Sequence, residues 1–289
     1  MVGRTLIQVK DASSSNKDMV TRVRGGTSEA GQNQFVTASS NFLVDVALGL
    51  VPGYSILNKF GRNSDIDTAT VPESIWNGSG LYTGFNATVA ETVTIASSST
   101  DDVKTTGTGA WTIHLEGLTT GYVPATETLD LNGTTNVTSA NTYLRLDRAW
   151  IMTAGTGGKN VGEITINQST STANVFCVMP AGANQTHIGC STVPAGFTAL
   201  LLVMKLTLND ANATVANGDL YVRELNGVFR SKMPYGIAQT GGQVTFDDGV
   251  PQISIPEKSD IDTRILVTSS NNTDVTVKLD ILLIDNNYL

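Results

Sequence analysis

The sequence predicts an all-β protein made of antiparallel β-sandwich or jelly-roll domains, with an extended N-terminal arm and one short helix. Three observations lead there. Only 15% of the residues are charged and 6% aromatic, while Thr, Ser, Asn and Gly abound, the composition of short strands joined by many turns. Eight Pro and 28 Gly interrupt the chain at short intervals, so no helical period runs past about a dozen residues. From Ala90 onward apolar and polar residues alternate, which gathers the apolar ones on one face of each strand. A length of 289 residues suits two β-rich domains of roughly 100–200 residues each.

Residues 1–40 carry few large apolar side chains and little periodicity, as an arm or linker does. Arg4, Lys10, Lys17, Arg22 and Arg24 against Asp11 and Asp18 leave the first 25 residues at +3 and the remainder at −11. That start either meets an acidic surface or stays a solvated tail. Ser40 or Asn41 can then cap a short helix bearing Phe42, Leu43, Val46, Ala47 and Leu50, because either side-chain oxygen can accept from the open amides of its first turn; Pro52-Gly53 ends it. The apolar stripe of this helix either docks on a partner or packs on the chain's own sandwich.

Between Val51 and Phe85, Gly61, Gly78 and Gly80 permit positive φ, while Asn63, Asp65 and Asp67 can satisfy loop amides. Phe60, Trp76 and Tyr82 supply contact area. The segment reads as an ordered loop that either carries contacts or covers the end of the first sandwich. Half-buried strands follow at Val93/Ile95, Trp111/Ile113/Leu115 and Leu129/Leu131. Residues 143–151 and 162–166 read as a hairpin around Gly155-Thr156-Gly157-Gly158.

After Pro194-Ala195-Gly196, the unbroken run Leu200-Leu201-Leu202-Val203-Met204 predicts a strand buried on both faces. Leu220/Val222, Val244/Phe246, Ile253/Ile255 and Ile265/Val267 follow, and Val275, Val277, Leu279 and Ile281 close the chain in clean alternation. Two sheets must then bury their inner faces against each other. The expected division is 1–53 for the arm and helix, 54–193 for a first β-domain and 194–289 for a second β-sandwich domain. Ser-Asp-Ile-Asp-Thr occurs at 64–68 and again at 259–263, but its flanks do not align, so it reads as coincidence.

No catalytic constellation emerges. His114 alternates with Ile113 and Leu115 and is expected on the solvent face, not as a general base. Asp65/Asp67, Asp101-Asp102 and Asp247-Asp248 lack calcium-loop spacing. Gly155-Thr156-Gly157-Gly158-Lys159 lacks the spacing and the following helix of a phosphate loop. Cys177, His187 and Cys190 supply three ligands where a structural zinc wants four, so small buried thiols are the expectation. A turn centred between Ala183 and Asn184 would set Cys177 opposite Cys190 within disulfide reach, although cytoplasmic assembly favours reduced thiols. The net charge of −8 and a pI near 4.7 argue against a surface that neutralises phosphates. With no apolar signal core and no long apolar span, the chain is expected to be made in the cytoplasm, without a membrane partner.

One ordered series of short motifs points to a family. It comprises Lys59-Phe60-Gly61-Arg62-Asn63, Asp65-Ile66-Asp67-Thr68, Pro72-Glu73-Ser74-Ile75-Trp76 with Gly78 and Gly80, Ser97-Ser98-Ser99-Thr100-Asp101-Asp102, Gly107-Thr108-Gly109-Ala110, Thr128-Leu129-Asp130-Leu131-Asn132-Gly133-Thr134, Ala154-Gly155-Thr156-Gly157-Gly158-Lys159-Asn160-Val161-Gly162 and Ile255-Pro256-Glu257-Lys258-Ser259-Asp260-Ile261. The series resembles virion structural proteins of tailed bacteriophages, particularly phages of aquatic bacteria. Trp111 stands where such proteins often carry Arg, and Ser79 where Gly is common.

The resemblance implies a non-enzymatic virion protein without a cofactor, assembled in the bacterial host cytoplasm. The leading expectation is a head-decoration or cement subunit whose partners are the major capsid protein and copies of itself in a homotrimer. Arg22, Arg24, Phe42, Leu43, Val46, Leu50, Phe60, Trp76 and Tyr82 are the expected capsid or subunit contacts. The alternatives are a tail or fibre component that binds a host surface glycan, a glycan-cleaving virion enzyme, and a coat protein proper.

Overall fold

The computed structural model describes residues 25–27, 33–35, 41–209, 214–238, 243–246 and 253–289. The chain divides into two units, 1–45 and 46–289. In the first, β1 (Gly25–Thr27) pairs antiparallel with β2 (Asn33–Phe35). Helix α1 (Phe42–Ala47) begins in that unit, with Asn41 Oδ1 accepting from Leu43 N at 3.1 Å as its cap. It stops short of the expected Pro52-Gly53 boundary because Gly49, at φ +70°, takes the left-handed conformation that ends helices.

In the second unit, all of the sheet pairing is antiparallel. β3 (Tyr54–Ile66) and β4 (Glu73–Ser74) come first. The chain then builds β5 (Val93–Ser97), β6 (Ala110–Leu118), β7 (Pro124–Asp130), β8 (Val137–Thr138), β9 (Arg145–Ala154), β10 (Ile164–Gln168) and β11 (Ser171–Met179). These form one sheet in the order β11-β10-β5-β8 and another in the order β7-β6-β9. Val93, Ile95, Ile164 and Ile166 from one and Ile113, Leu115, Leu129 and Leu146 from the other share a single core, so this is a sandwich.

The return path is β12 (Ser191–Thr192), β13 (Phe197–Leu208), β14 (Val215–Arg223), β15 (Arg230–Ala238), β16 (Gln243–Phe246), β17 (Ile253–Ile255), β18 (Asp260–Thr268) and β19 (Thr273–Asp285). Together with β3 they make the sheets β16-β13-β19-β3, where β17 also pairs with β13, and β12-β18-β14-β15. With β16 and β17 read as one interrupted strand, the first strand lies beside the last in one sheet and the second beside the seventh in the other, which is jelly-roll connectivity. Leu206, Leu279 and Ile281 meet Leu220, Tyr235 and Ile265 in its core. Each such fully buried aliphatic side chain contributes roughly 1.5–3 kcal/mol.

The position of β3 corrects the linear division of the chain. Residues 54–75 were assigned to the first domain, yet β3 pairs along its length with β19, and β4 pairs with β18. The first sandwich is in fact spliced into one strand of the jelly roll. Ser74 lies opposite Arg264, Ile75 N donates to Thr263 O at 2.9 Å, and after the excursion Ser191 lies opposite Ile261. Gly189 N donates to Ile75 O at 2.9 Å, and Trp76 bridges Ile188, closing the splice. Gly61 is needed here for close approach and not for positive φ, since a Cβ on it would stand 2.2 Å from Ile75 O and 2.3 Å from Gly189 N.

Two further readings change. The strands at 143–151 and 162–166 are no hairpin, because β9 and β10 lie in different sheets and the glycine segment crosses between them. Asp102, fully buried, holds that crossing by accepting from Val161 N and Gly162 N, both at 2.8 Å, as well as Ala110 N at 2.7 Å and Ser97 Oγ at 2.5 Å. Trp111 leaves the face of Ile113 and Leu115 because register shifts flank Thr112, which turns inward in its place. His114 is outward, as its alternation requires.

The Leu200–Met204 run packs on both faces, buried on one and half-buried on the other. Leu201 and Met204 enter the jelly-roll core, while Leu200 and Leu202 pack with Val46, Leu282 and Ile284. Among the described residues, no helix is long and apolar enough to cross a membrane. Asp102→Ala is expected to cost about 3 kcal/mol or more, because it strands two buried amides and a part-buried third at once. Chemical denaturation of the purified chain measures it, and a loss below about 1 kcal/mol contradicts the role given to this carboxylate.

Candidate contact surface

The residues expected to form one contact patch differ in their burial. Arg22 and Arg24 lie outside the described residues. Phe42, Leu43 and Leu50 are exposed, Leu50 at 66%. Val46, at 3% exposure, packs against Leu282 and Ile284, so this position of the stripe serves the chain's own sandwich and is not a partner contact. Phe60 projects from the solvent side of β3 at 37% exposure, edge-on to His187 with ring centroids 5.5 Å apart.

Trp76 and Tyr82 are corrected as well. They are 2% and 5% exposed and lie in the core of the inserted sandwich, with ring centroids 5.1 Å apart. Trp76 Nε1 donates to Gly80 O at 3.1 Å, and Tyr82 Oη donates to Leu146 O at 3.2 Å and Phe176 O at 3.0 Å. Each polar tip finds a carbonyl, which lets the rings be buried without an unpaired donor.

The joint between the sandwiches is a feature the sequence reading missed. Asp260 on β18, 3% exposed, accepts from Arg145 Nε on β9 at 2.9 Å, from Arg223 Nε on β14 at 2.9 Å and from Thr192 Oγ1 at 2.6 Å. Arg145 Nη1 also donates to Ala87 O and Leu144 O, both at 2.8 Å, and Arg223 Nη2 to Phe85 O at 2.9 Å. The guanidinium groups alternate with rings. Arg145 lies between Tyr122 (5.9 Å) and Phe85 (5.7 Å), Arg223 between Phe85 (5.7 Å) and Phe229 (4.6 Å), and Arg264 between Phe229 (4.3 Å) and Tyr221 (4.7 Å). Cation–π attraction strengthens where water is excluded. Arg264 Nε is held by Asp262 Oδ2 at 2.6 Å.

A second crossing lies nearby. The Lys59 ammonium on β3 is buried and donates to the Asp147 carbonyl on β9. Burial lowers its pKa, against an upward pull from Asp147. Cys177 and Cys190 are buried free thiols, which corrects the disulfide geometry. No hairpin brings them together, since β11 pairs with β10 and β12 pairs with β18. Cys190 Sγ donates to Asp262 Oδ1 at 3.1 Å, and burial raises both thiols' pKa, so neither is a thiolate nucleophile. His187, whose pKa is lowered by burial and then by Arg62, packs on Phe60.

No family model matches the chain, and no curated protein does. Among solved structures it is similar to the PBSX exported protein XepA, at 11% identity over 90% of this chain and 98% of that one, with a TM-score of 0.18. It is also similar to the structure of infectious bursal disease virus, Gx strain, at 11% identity over 82% and 73%, with a TM-score of 0.19. Similarity at that level decides neither fold nor function.

Asp260→Ala is expected to destabilise the chain by about 3–5 kcal/mol, because it leaves two guanidinium groups facing each other without their carboxylate. Disruption of the exposed Lys104–Asp130 pair should cost no more than about 1 kcal/mol. Denaturant titration of both variants tests the contrast, and equal losses contradict it.

Lys59→Met should raise the unfolding temperature at neutral pH, by about 2–4 °C for each kcal/mol gained. The native amine binds its proton less readily than the unfolded one, so the wild-type chain gains stability as pH rises toward 10.5. The advantage of the Met variant must therefore shrink in alkali. Calorimetry from pH 7 to pH 10.5 reads this out, and an advantage that grows with pH overturns it.

Proposed function

We propose that this chain is a non-enzymatic structural subunit of a tailed-phage particle, a head-decoration or cement protein that binds the major capsid protein and assembles as a homotrimer. The observation that carries the reading is a set of exposed apolar side chains on helix α1 and just after it. Leu43 and Val44 in the first unit are exposed, and in the second unit Leu48 and Leu50 are exposed. Contiguous exposed apolar side chains are characteristic of surfaces that are covered in use. The basic start of the chain adds charge complementary to acidic shell loops.

The ordered motif series that resembles phage virion proteins supports the same reading. So does the jelly roll, a fold that recurs in viral capsid and lectin domains, although such an analogy decides no function by itself. Three arms on one trimer would engage a lattice together, and linked weak contacts raise avidity by a large factor. Localisation in the virion follows from this reading.

Val46 belongs to the body, so a decisive truncation ends at residue 45. Removing 1–45 should leave the unfolding temperature nearly unchanged and abolish co-sedimentation with particles. A truncated protein that still decorates particles at full occupancy moves the attachment elsewhere, with exposed Phe60 as the next candidate.

A further inference from the structure

The outward face of the sheet β7-β6-β9 has a chemistry that structural packing does not require. Its inward residues, Ile113, Leu115, Leu129 and Ala149, account for the core. On the other side, the pairing places His114 between Thr128 and Trp150, and Glu116 between Thr126 and Arg148. Thr126 and Thr128 are exposed, and His114, Glu116, Arg148 and Trp150 are half-buried. The face thus presents an indole where a solvent-facing strand position ordinarily carries a small or charged polar residue.

The polar groups around the indole are held in place. His114 Nδ1 is 2.7 Å from Thr128 Oγ1, which fixes the imidazole and leaves Nε2 as its second hydrogen-bonding atom. The imidazole lies beside the indole, with centroids 4.4 Å apart and planes at 45°. Among the described residues, Trp150 Nε1 contacts only the weak acceptor Met152 Sδ, at 3.0 Å. Arg148 Nε and Glu116 Oε2 pair at 2.8 Å one row away, giving adjacent fixed donors and acceptors.

We propose that this face is a carbohydrate-binding site for neutral hexose-based glycans. A pyranose has an apolar C–H face that covers an indole, and equatorial hydroxyl pairs that donate and accept in one plane. Trp150 supplies the platform, while His114 Nε2 and the Glu116–Arg148 pair meet vicinal hydroxyls. An anionic glycan is disfavoured by the net charge of −8. The site is one face of a sheet with its polar groups already held, so binding is weak per site and multiplied by the copies on a particle. The assignment does not depend on where in the particle the subunit stands.

Affinity electrophoresis of the full chain through gels cast with dextran, soluble starch, hydroxyethyl cellulose or galactomannan tests it. Retardation by at least one gel is expected. Trp150→Ala and His114→Ala should weaken it about tenfold or more, which corresponds to about 1.4 kcal/mol, with an unchanged unfolding temperature. Trp150→Phe should keep part of the affinity, which guards against a misfolded Ala variant. Retardation in none of the gels, or equal retardation of the Trp150→Ala chain, overturns the proposal. Self-association that Trp150→Ala abolishes, without retardation, assigns the face to a second copy and overturns it too.

Discussion

Asp260 is the point on which the body's two halves depend. A carboxylate removed from water carries a penalty of several kcal/mol that only paired, well-directed donors offset. Here the donors come from Arg145 in the insert, from Arg223 in the jelly roll and from Thr192 on the returning strand. Their convergence fixes where β9 lies relative to β14 and β18. The ring ladder from Tyr122 to Tyr221 extends that fixed point across the joint, because every guanidinium has a ring on either side.

The splice explains why no flexible linker separates the two sandwiches. The chain leaves the jelly roll at Trp76 and resumes by Ser191, and both crossing segments stay hydrogen-bonded to β18 or to each other. A pair of crossings tied into one strand, with Lys59 and the arginine ladder beside them, makes the residues from 46 onward one compact unit. Any surface on the insert, including the Trp150 face, thereby belongs to the same compact unit as the jelly roll.

Much of this was legible in the sequence where local patterning decides structure. Strict alternation located β5, β10 and β19, and the uninterrupted Leu200–Met204 run implied packing on two faces, one of which is only half-buried; in β18 the alternation broke, since Ile265 is buried and Val267 exposed. The patterning failed where long-range contacts decide. Register shifts around Thr112 turned Trp111 out of line. The glycines at 155–158 suggested a hairpin, but a carboxylate far back in the chain, Asp102, claims the following amides and sends the strand to another sheet. Of the expected contact residues, Trp76 and Tyr82 sit in a segment whose sequence leaves open a loop that carries contacts or one that covers the first sandwich, and the splice draws both into a core.

The repeated pentapeptide shows the division most clearly. By itself the sequence determined the class, the positions of several strands after Ala90 and an acidic, turn-rich chain without a recognisable catalytic motif, because period, composition and spacing are local properties; β3, which the sequence reads as part of an ordered loop, was not among them. At 64–68, Ser-Asp-Ile-Asp-Thr leaves Ser64, Asp65 and Thr68 exposed. At 259–263 the same five residues are all buried, with Asp260 binding two arginines and Asp262 binding Arg264 and Cys190. Identical residues have identical local preferences, so the difference comes from their partners. Arg145 lies 115 positions before Asp260, a separation over which pattern carries no information, and only the tertiary structure decides that they meet.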